Sequence, residues 1–168
     1  MSTKLTSDQV WQAIENELFA VVGMVSARNE ARTAGVMYAL RDRKLYFVSD
    51  KDAWKVRHIA QNPHLSVTIP IAKRVFFMPW IKIPAATITF CATARVLPAG
   101  EVPPELLRAV LRQMADDPEV VEDSCLVELA PKGEFVTYGV GVSLMEMRDT
   151  EKARGRAPVD GLEREVAG

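Results

Sequence analysis

The chain has 168 residues, 48% of them hydrophobic and 26% charged, with a formal net charge of −1. That is the composition of an ordinary soluble domain, long enough to bury roughly two-thirds of the surface its unfolded chain exposes. Near-neutral charge excludes a non-specific nucleic-acid binder, which needs a concentrated basic surface, so any anion site must be local.

The first residues, MSTKLTSDQVWQ, hold no uninterrupted apolar stretch of the kind a secretory leader carries. No apolar run approaches the roughly 18 residues of a membrane span, and a cytoplasmic protein is expected. Thr6-Ser7-Asp8-Gln9 fits a capping box, and Val10, Trp11, Ile14 and Leu18 recur at helical spacing. The spacing predicts an amphipathic helix ending near Gly23, with a buried strand over Phe19 to Ala27 beginning where the helix stops. Arg28-Asn29-Glu30 reads as a polar turn, Thr33 to Leu40 as a second strand, Arg41-Asp42-Arg43 as a turn and Lys44 to Ser49 as a third strand. Links this short make an antiparallel meander.

SDKDAWKVRHIAQNP follows as a helix, with Val56, Ile59, Ala60 and Pro63 on one face. Lys51, Lys55 and His58 fall largely on the other, with Trp54 beside them. Two readings stay open for that charge. One is a solvated basic face. The other is an anion site made from Ser49, the first helical turn and Lys55, because helix starts present free N–H groups and partial positive charge. Asp50 and Asp52 suit the helix dipole but repel a nearby phosphate.

His64 to Ile71 returns to strand, with Pro70 expected to stop it or confine it to a sheet edge. Residues 72–84 include three bases with Phe76, Phe77 and Trp80, which suit a wall over a planar ligand, a dimer contact, a lid or a loop filling the barrel end, with interface or core favoured over ligand contact. Ala85 to Leu97 is the clearest strand, with Cys91 expected as a small core residue. Pro103-Pro104 open a helix whose apolar stripe is Leu106, Leu107, Val110, Leu111 and Met114, stopped by Asp117-Pro118. Ser124 to Leu129 is a strand, Pro131-Lys132-Gly133 a turn, and Glu134 to Tyr138 its hairpin partner. From Lys152 the chain is rich in charge and is expected to fray or pack loosely.

About six strands with three helices suggest a small antiparallel barrel decorated by helices. A doubly wound parallel sheet is rejected, because the first three strands have no crossover helix and no Gly-rich phosphate loop appears. Cys91 and Cys125 lack metal or redox spacing, and His58 and His64 are joined by no ligand cluster, so no metal site is expected. No GxSxG elbow supports a hydrolase.

The segments MVSARNEARTAGVMYAL, KLYFVS, DAWKVRHIAQNP and LSVTI occur in this order between Val21 and Val67, and Ala92 to Val96 is a loose match to a GxAxV-like strand end. Together they make the chain resemble the flavin-binding split-barrel family related to pyridoxamine phosphate oxidase. The resemblance implies a mainly β (α+β) fold, a six-stranded antiparallel Greek-key split barrel with flanking helices. The resemblance covers roughly residues 8–97 well and the C-terminal third in general layout, with the domain expected over 1–151 and a tail over 152–168. It also implies a homodimer with FMN in a groove at the subunit interface.

Carried over by position, Lys55 matches the phosphate-binding lysine, Ser49 the hydroxyl that meets the phosphate, and Val48 a neighbouring backbone contact. Arg32 or Thr33 would point toward phosphate, with Gly35 and Met37 near the ring. Trp54 stands where the family has the arginine of a basic pair, and lysine cannot imitate that bidentate partner. Thr87 falls where better-studied members have a glutamine near the flavin.

FVTYGVGVSLMEMRD lacks the Arg-Leu-His set of pyridoxamine phosphate oxidases, so a vitamin B6 enzyme is not expected. The resemblance thus implies a flavin-dependent oxidoreductase that moves a hydride to or from a small organic substrate, with no acid or base residue required. One alternative is a reductase using the deazaflavin coenzyme F-420, whose longer anionic tail Lys51, Lys73, Arg74 and Lys82 would accompany. Another is a non-enzymatic flavin- or haem-binding protein.

Overall fold

Thr6 caps the first helix, α1 (Ser7–Glu15), through the expected reciprocal bonds: its hydroxyl accepts from the Gln9 N–H and the Gln9 side chain accepts from the Thr6 N–H. The computed structural model describes residues 5–72 and 84–160, so the expectations for Lys73, Arg74, Phe76, Phe77, Trp80 and Lys82 lie outside the described residues. α1 buries Val10, Trp11 and Ile14 but ends well before Gly23, and Leu18 lies beyond it, exposed.

The chain continues through β1 (Phe19–Val25), β2 (Ala31–Met37), β3 (Ala39–Arg41), β4 (Lys44–Asp50), α2 (Trp54–Gln61), β5 (His64–Ile71) and β6 (Ala86–Pro98). Then come α3 (Pro104–Leu111), α4 (Pro118–Asp123), β7 (Ser124–Tyr138), α5 (Thr150–Ala153) and β8 (Arg154–Pro158). The sheet has eight strands instead of six, in the order β2-β1-β5-β6-β7-β4-β3, with β8 on β7. Against the strands read from the sequence, Tyr38 adds one by interrupting Thr33–Leu40 where it donates to the Leu18 carbonyl, β8 adds another, and the fusion of 124–138 into β7 removes one. β2 and β3, one residue apart in the chain, terminate the two ends of the path, which is the connectivity of a split barrel.

Two compact units share these strands. The first takes the chain up to Glu17, Thr68–Phe90 and everything from Lys132 on. Its core stacks Trp11 and Phe90 edge-on against Phe135, at 5.1 and 5.4 Å between centroids. The Val159 carbonyl accepts from both Ser7 Oγ and Trp11 Nε1 at 3.1 Å. The tail expected to fray therefore does not do so as far as Asp160: β8 pairs with Glu134–Tyr138, and Arg156 meets Glu134 at 3.1 Å.

The second unit, Leu18–Val67 and Cys91–Pro131, carries the meander. β1 and β2 run antiparallel with Phe19 opposite Met37 and Val25 opposite Ala31. β4 pairs with the first part of β7, Ser49 opposite Cys125. α3 and α4 cover that part of the sheet, Leu106, Leu107, Val110 and Val121 packing on Tyr46, Ala99, Val102 and Leu126. Arg112 enters the left-handed region at φ 54° and ends α3, so Met114 is exposed rather than part of the stripe. Asp117 starts α4 instead of stopping α3, its carboxylate accepting from the Glu119 and Val120 N–H groups.

Three further expectations change. The predicted 124–138 hairpin is one long strand, since Gly133 at φ 77° bends β7 without reversing it. Pro70 sits one residue before the end of β5, which lies between β1 and β6 rather than at an edge, and few ladder bonds remain there to lose. Cys91 is exposed because β6 buries its alternate positions, Ala86, Ile88, Phe90, Ala92 and Ala94.

Candidate cofactor site

The β4–α2 junction collects several of the residues the sequence singles out. Val48 is half-buried and Ser49 buried at the end of β4. The Ser49 hydroxyl makes one long bond, 3.4 Å to the Asp50 carbonyl, and its own carbonyl accepts from Cys125 Sγ at 3.5 Å. The Ala53 N–H donates to the Asp50 carbonyl and turns the chain into α2. Ala53 offers no side-chain cap to the helix, and with the Val56 N–H taken by the Ala53 carbonyl the first-turn donors are the Trp54 and Lys55 N–H groups. Val56 and Ile59 bury the helix on the sheet, whereas Ala60, expected on that face, is exposed.

Lys55 stands half-buried in this first turn. Its charge reaches the register partner of Ser49: burial pushes the Cys125 thiol up, Asp50 adds to this, and Lys55 opposes it. Trp54 is 42% exposed beside it and meets His58 edge-on, 5.6 Å between rings. Hydroxyl, ammonium and open helix start form a donor set that suits a phosphate, with Asp50 and Asp52 as its opposing charges.

The other candidates are placed differently. Thr33, Gly35 and Met37 alternate along the exposed face of β2. A Cβ at Gly35 would lie 2.8 Å from Cζ of the Phe19 ring, so a larger residue there requires that exposed ring to shift. Arg32 is exposed and engaged by Glu30 at 3.0 Å. None of these side chains bonds to Ser49 or Lys55. Thr87 is half-buried on β6 and belongs to the first unit. Lys51 is committed elsewhere: its Nζ donates to the Glu122 carbonyl and meets Asp123 at 3.1 Å, which holds its pKa above the usual lysine value.

A second polar cluster was not anticipated. Glu128, its side chain 10% exposed, accepts from Tyr46 Oη at 3.0 Å, Lys44 Nζ at 3.3 Å and Arg95 Nη2 at 3.3 Å. Burial raises its pKa, but the hydrogen bonds from Tyr46 and Lys44 and the charges of Lys44 and Arg95 outweigh this and hold it below the usual range. Burial and the adjoining carboxylate push the Tyr46 phenol up to about 12. The signal in sequence is a lone glutamate inside the apolar run SCLVELA, since a charge among buried neighbours needs partners.

Comparison with known proteins settles the class. The family model described as pyridoxamine 5'-phosphate oxidase matches residues 6–138. The chain belongs to the pyridoxamine 5'-phosphate oxidase family. No curated protein sequence matches it. Among solved structures, a haem-binding protein from Mycobacterium smegmatis superposes with a TM-score of 0.68 at 13% identity, covering 92% of this chain and 58% of that one. The chain thus spans little more than half that protein's length. An F420 reductase gives a TM-score of 0.53 at 15% identity over 74% of this chain and 93% of its own. The haem storage protein HutZ from Vibrio cholerae gives 0.58 at 13% identity over 80% and 95%. At such identities these likenesses establish the fold.

Proposed function

We propose that the chain is a flavin-dependent oxidoreductase of the cytoplasm, binding FMN at a homodimer interface and moving a hydride to or from a small organic substrate. The β4–α2 junction carries this reading: Ser49 and Lys55 flank a helix start that no side chain caps. There Ser49 Oγ and the first N–H groups of α2 donate to the phosphate, and Lys55 supplies charge. Val48 contributes backbone, while Thr33, Gly35 and Met37 on β2 lie along the ring. When bound, FMN supplies the hydride chemistry, and the protein positions and shields it. Arg32 reaches a phosphate only by leaving Glu30.

A second copy is supported by the surface of β1 and β2. Leu18, Phe19 and Met37 are 51%, 43% and 57% exposed along an edge of the sheet path, the kind of apolar patch that a partner covers. Among the described residues no helix is long and apolar enough to cross a membrane.

The F420 reductase among the structural neighbours supports one other reading, a deazaflavin F-420-dependent reductase on the same scaffold. Competition between the two cofactors decides: markedly tighter FMN binding rejects F-420. Steady-state reduction of quinones and enones by the FMN-loaded protein tests the enzymatic claim, and absence of turnover across the panel overturns it in favour of a carrier.

A further inference from the structure

A cavity of about 700 Å³ adjoins the Glu128 network, lined by neither Ser49 nor Lys55, and the cofactor reading leaves its charges unexplained. It carries both signs. Arg41 and Arg95 come from β3 and β6, Glu101 and Glu105 from the α3 side, and Asp42 from the β3–β4 turn. Leu97, Leu106 and the Tyr46 ring supply apolar surface.

Glu128 is already satisfied by three donors, yet Arg95 uses only Nη2 on it and remains 66% exposed. Arg41, Asp42, Glu101 and Glu105 make no side-chain hydrogen bond or ion pair with other described residues. Arg41, Asp42, Glu101 and Glu105 are exposed, and outside the Arg95–Glu128 pair the cavity's donors and acceptors are open to a ligand of both signs. Apart from Glu128, which Lys44 also neutralises, the lining holds two cations and three carboxylates, so the ligand's positive end matters most. The volume lies within the range of small-molecule sites, roughly 300–1,000 Å³.

We propose that this cavity binds a small ammonium–carboxylate zwitterion of amino-acid or dipeptide size. Its carboxylate meets Arg41 and Arg95, its ammonium meets Glu101 and Glu105, and its apolar part lies on Leu97 and Leu106. The site is independent of the cofactor reading.

Calorimetric titration of the full chain with norleucine, norleucyl-norleucine, pentylamine and hexanoic acid tests it. Saturable binding of norleucine or its dipeptide is expected, with pentylamine about tenfold weaker and hexanoate weaker still. The Glu101→Gln/Glu105→Gln double variant loses about tenfold or more in affinity for the zwitterion with its melting temperature unchanged. No saturation by either zwitterion overturns the proposal. So does equal binding by the double variant, or hexanoate binding as tightly as norleucine.

Discussion

Tyr46→Phe removes one oxygen from the Glu128 network and nothing else. That oxygen lies 3.0 Å from a carboxylate whose side chain is 10% exposed. A hydrogen bond to a charged group contributes about 1.5–3 kcal/mol, and phenylalanine recovers part of this because it buries no hydroxyl. Lys44 and Arg95 continue to hold the carboxylate. The expected loss at pH 7 is therefore about 1–2 kcal/mol, or about 3–6 °C in melting temperature for a chain of this size.

The pH dependence follows from the shifts. Glu128 has a depressed pKa, so its contribution is present above the ordinary carboxylate value and is lost as pH falls through the depressed one. The gap between wild type and variant should narrow on acidification below about pH 4. Tyr46 is raised to about 12, so the wild type alone also loses stability as pH climbs from the ordinary tyrosine value, about 10, toward that point. Urea unfolding of both proteins at pH 7, 4 and 3 measures the gap. A gap below about 0.5 kcal/mol at pH 7, or one unchanged down to pH 3, would refute the assignment of Tyr46 as a donor to ionised Glu128.

Three other outcomes are expected. Lys55→Ala should weaken FMN binding by about tenfold or more while leaving the melting temperature in place, since a charge-assisted phosphate contact is lost and no core residue is touched; unchanged affinity removes Lys55 from the site. Gly139→Ala should cost more than Gly133→Ala, although both glycines have φ above 70°. A Cβ at 139 lies 2.6 Å from Cε of buried Met147, whereas at 133 it meets nothing within 4 Å, so position 133 shows the conformational cost of about 1 kcal/mol alone. Equal losses in thermal unfolding would contradict this. Cys91 should react with a thiol reagent in the native protein and Cys125 only on unfolding, because Cys125 is buried with a raised pKa; equal rates for the two thiols would refute that placement.

What the sequence reveals of the fold is what local chemistry decides. The Thr6–Gln9 box, the Val56 and Ile59 face of α2 and the β5 bounds are legible because cap, periodicity and turn residues lie within a few positions of what they control. β8 is not, since its pairing with β7 depends on a distant strand and on small residues, Gly155 and Ala157, inside a charged stretch. The face of Cys91 is not legible either, because a mixed run such as ATITFCATARVL does not say which alternate set is buried. For the site, resemblance picks out Ser49 and Lys55, and the structure adds that no side chain caps the helix between them and the solvent. The engagement of Arg32 by Glu30, and the convergence of Lys44, Tyr46 and Arg95 on Glu128, depend on side-chain reach within and between strands that periodicity does not encode.

The central claim is that this chain holds a flavin phosphate at the β4–α2 junction. Equilibrium titration of the purified protein with FMN, followed by flavin fluorescence and absorption, tests it most directly. Saturable binding of one FMN per chain, in a sample that scatters light as a dimer, is the predicted result. A colourless monomer that takes up no FMN would contradict it.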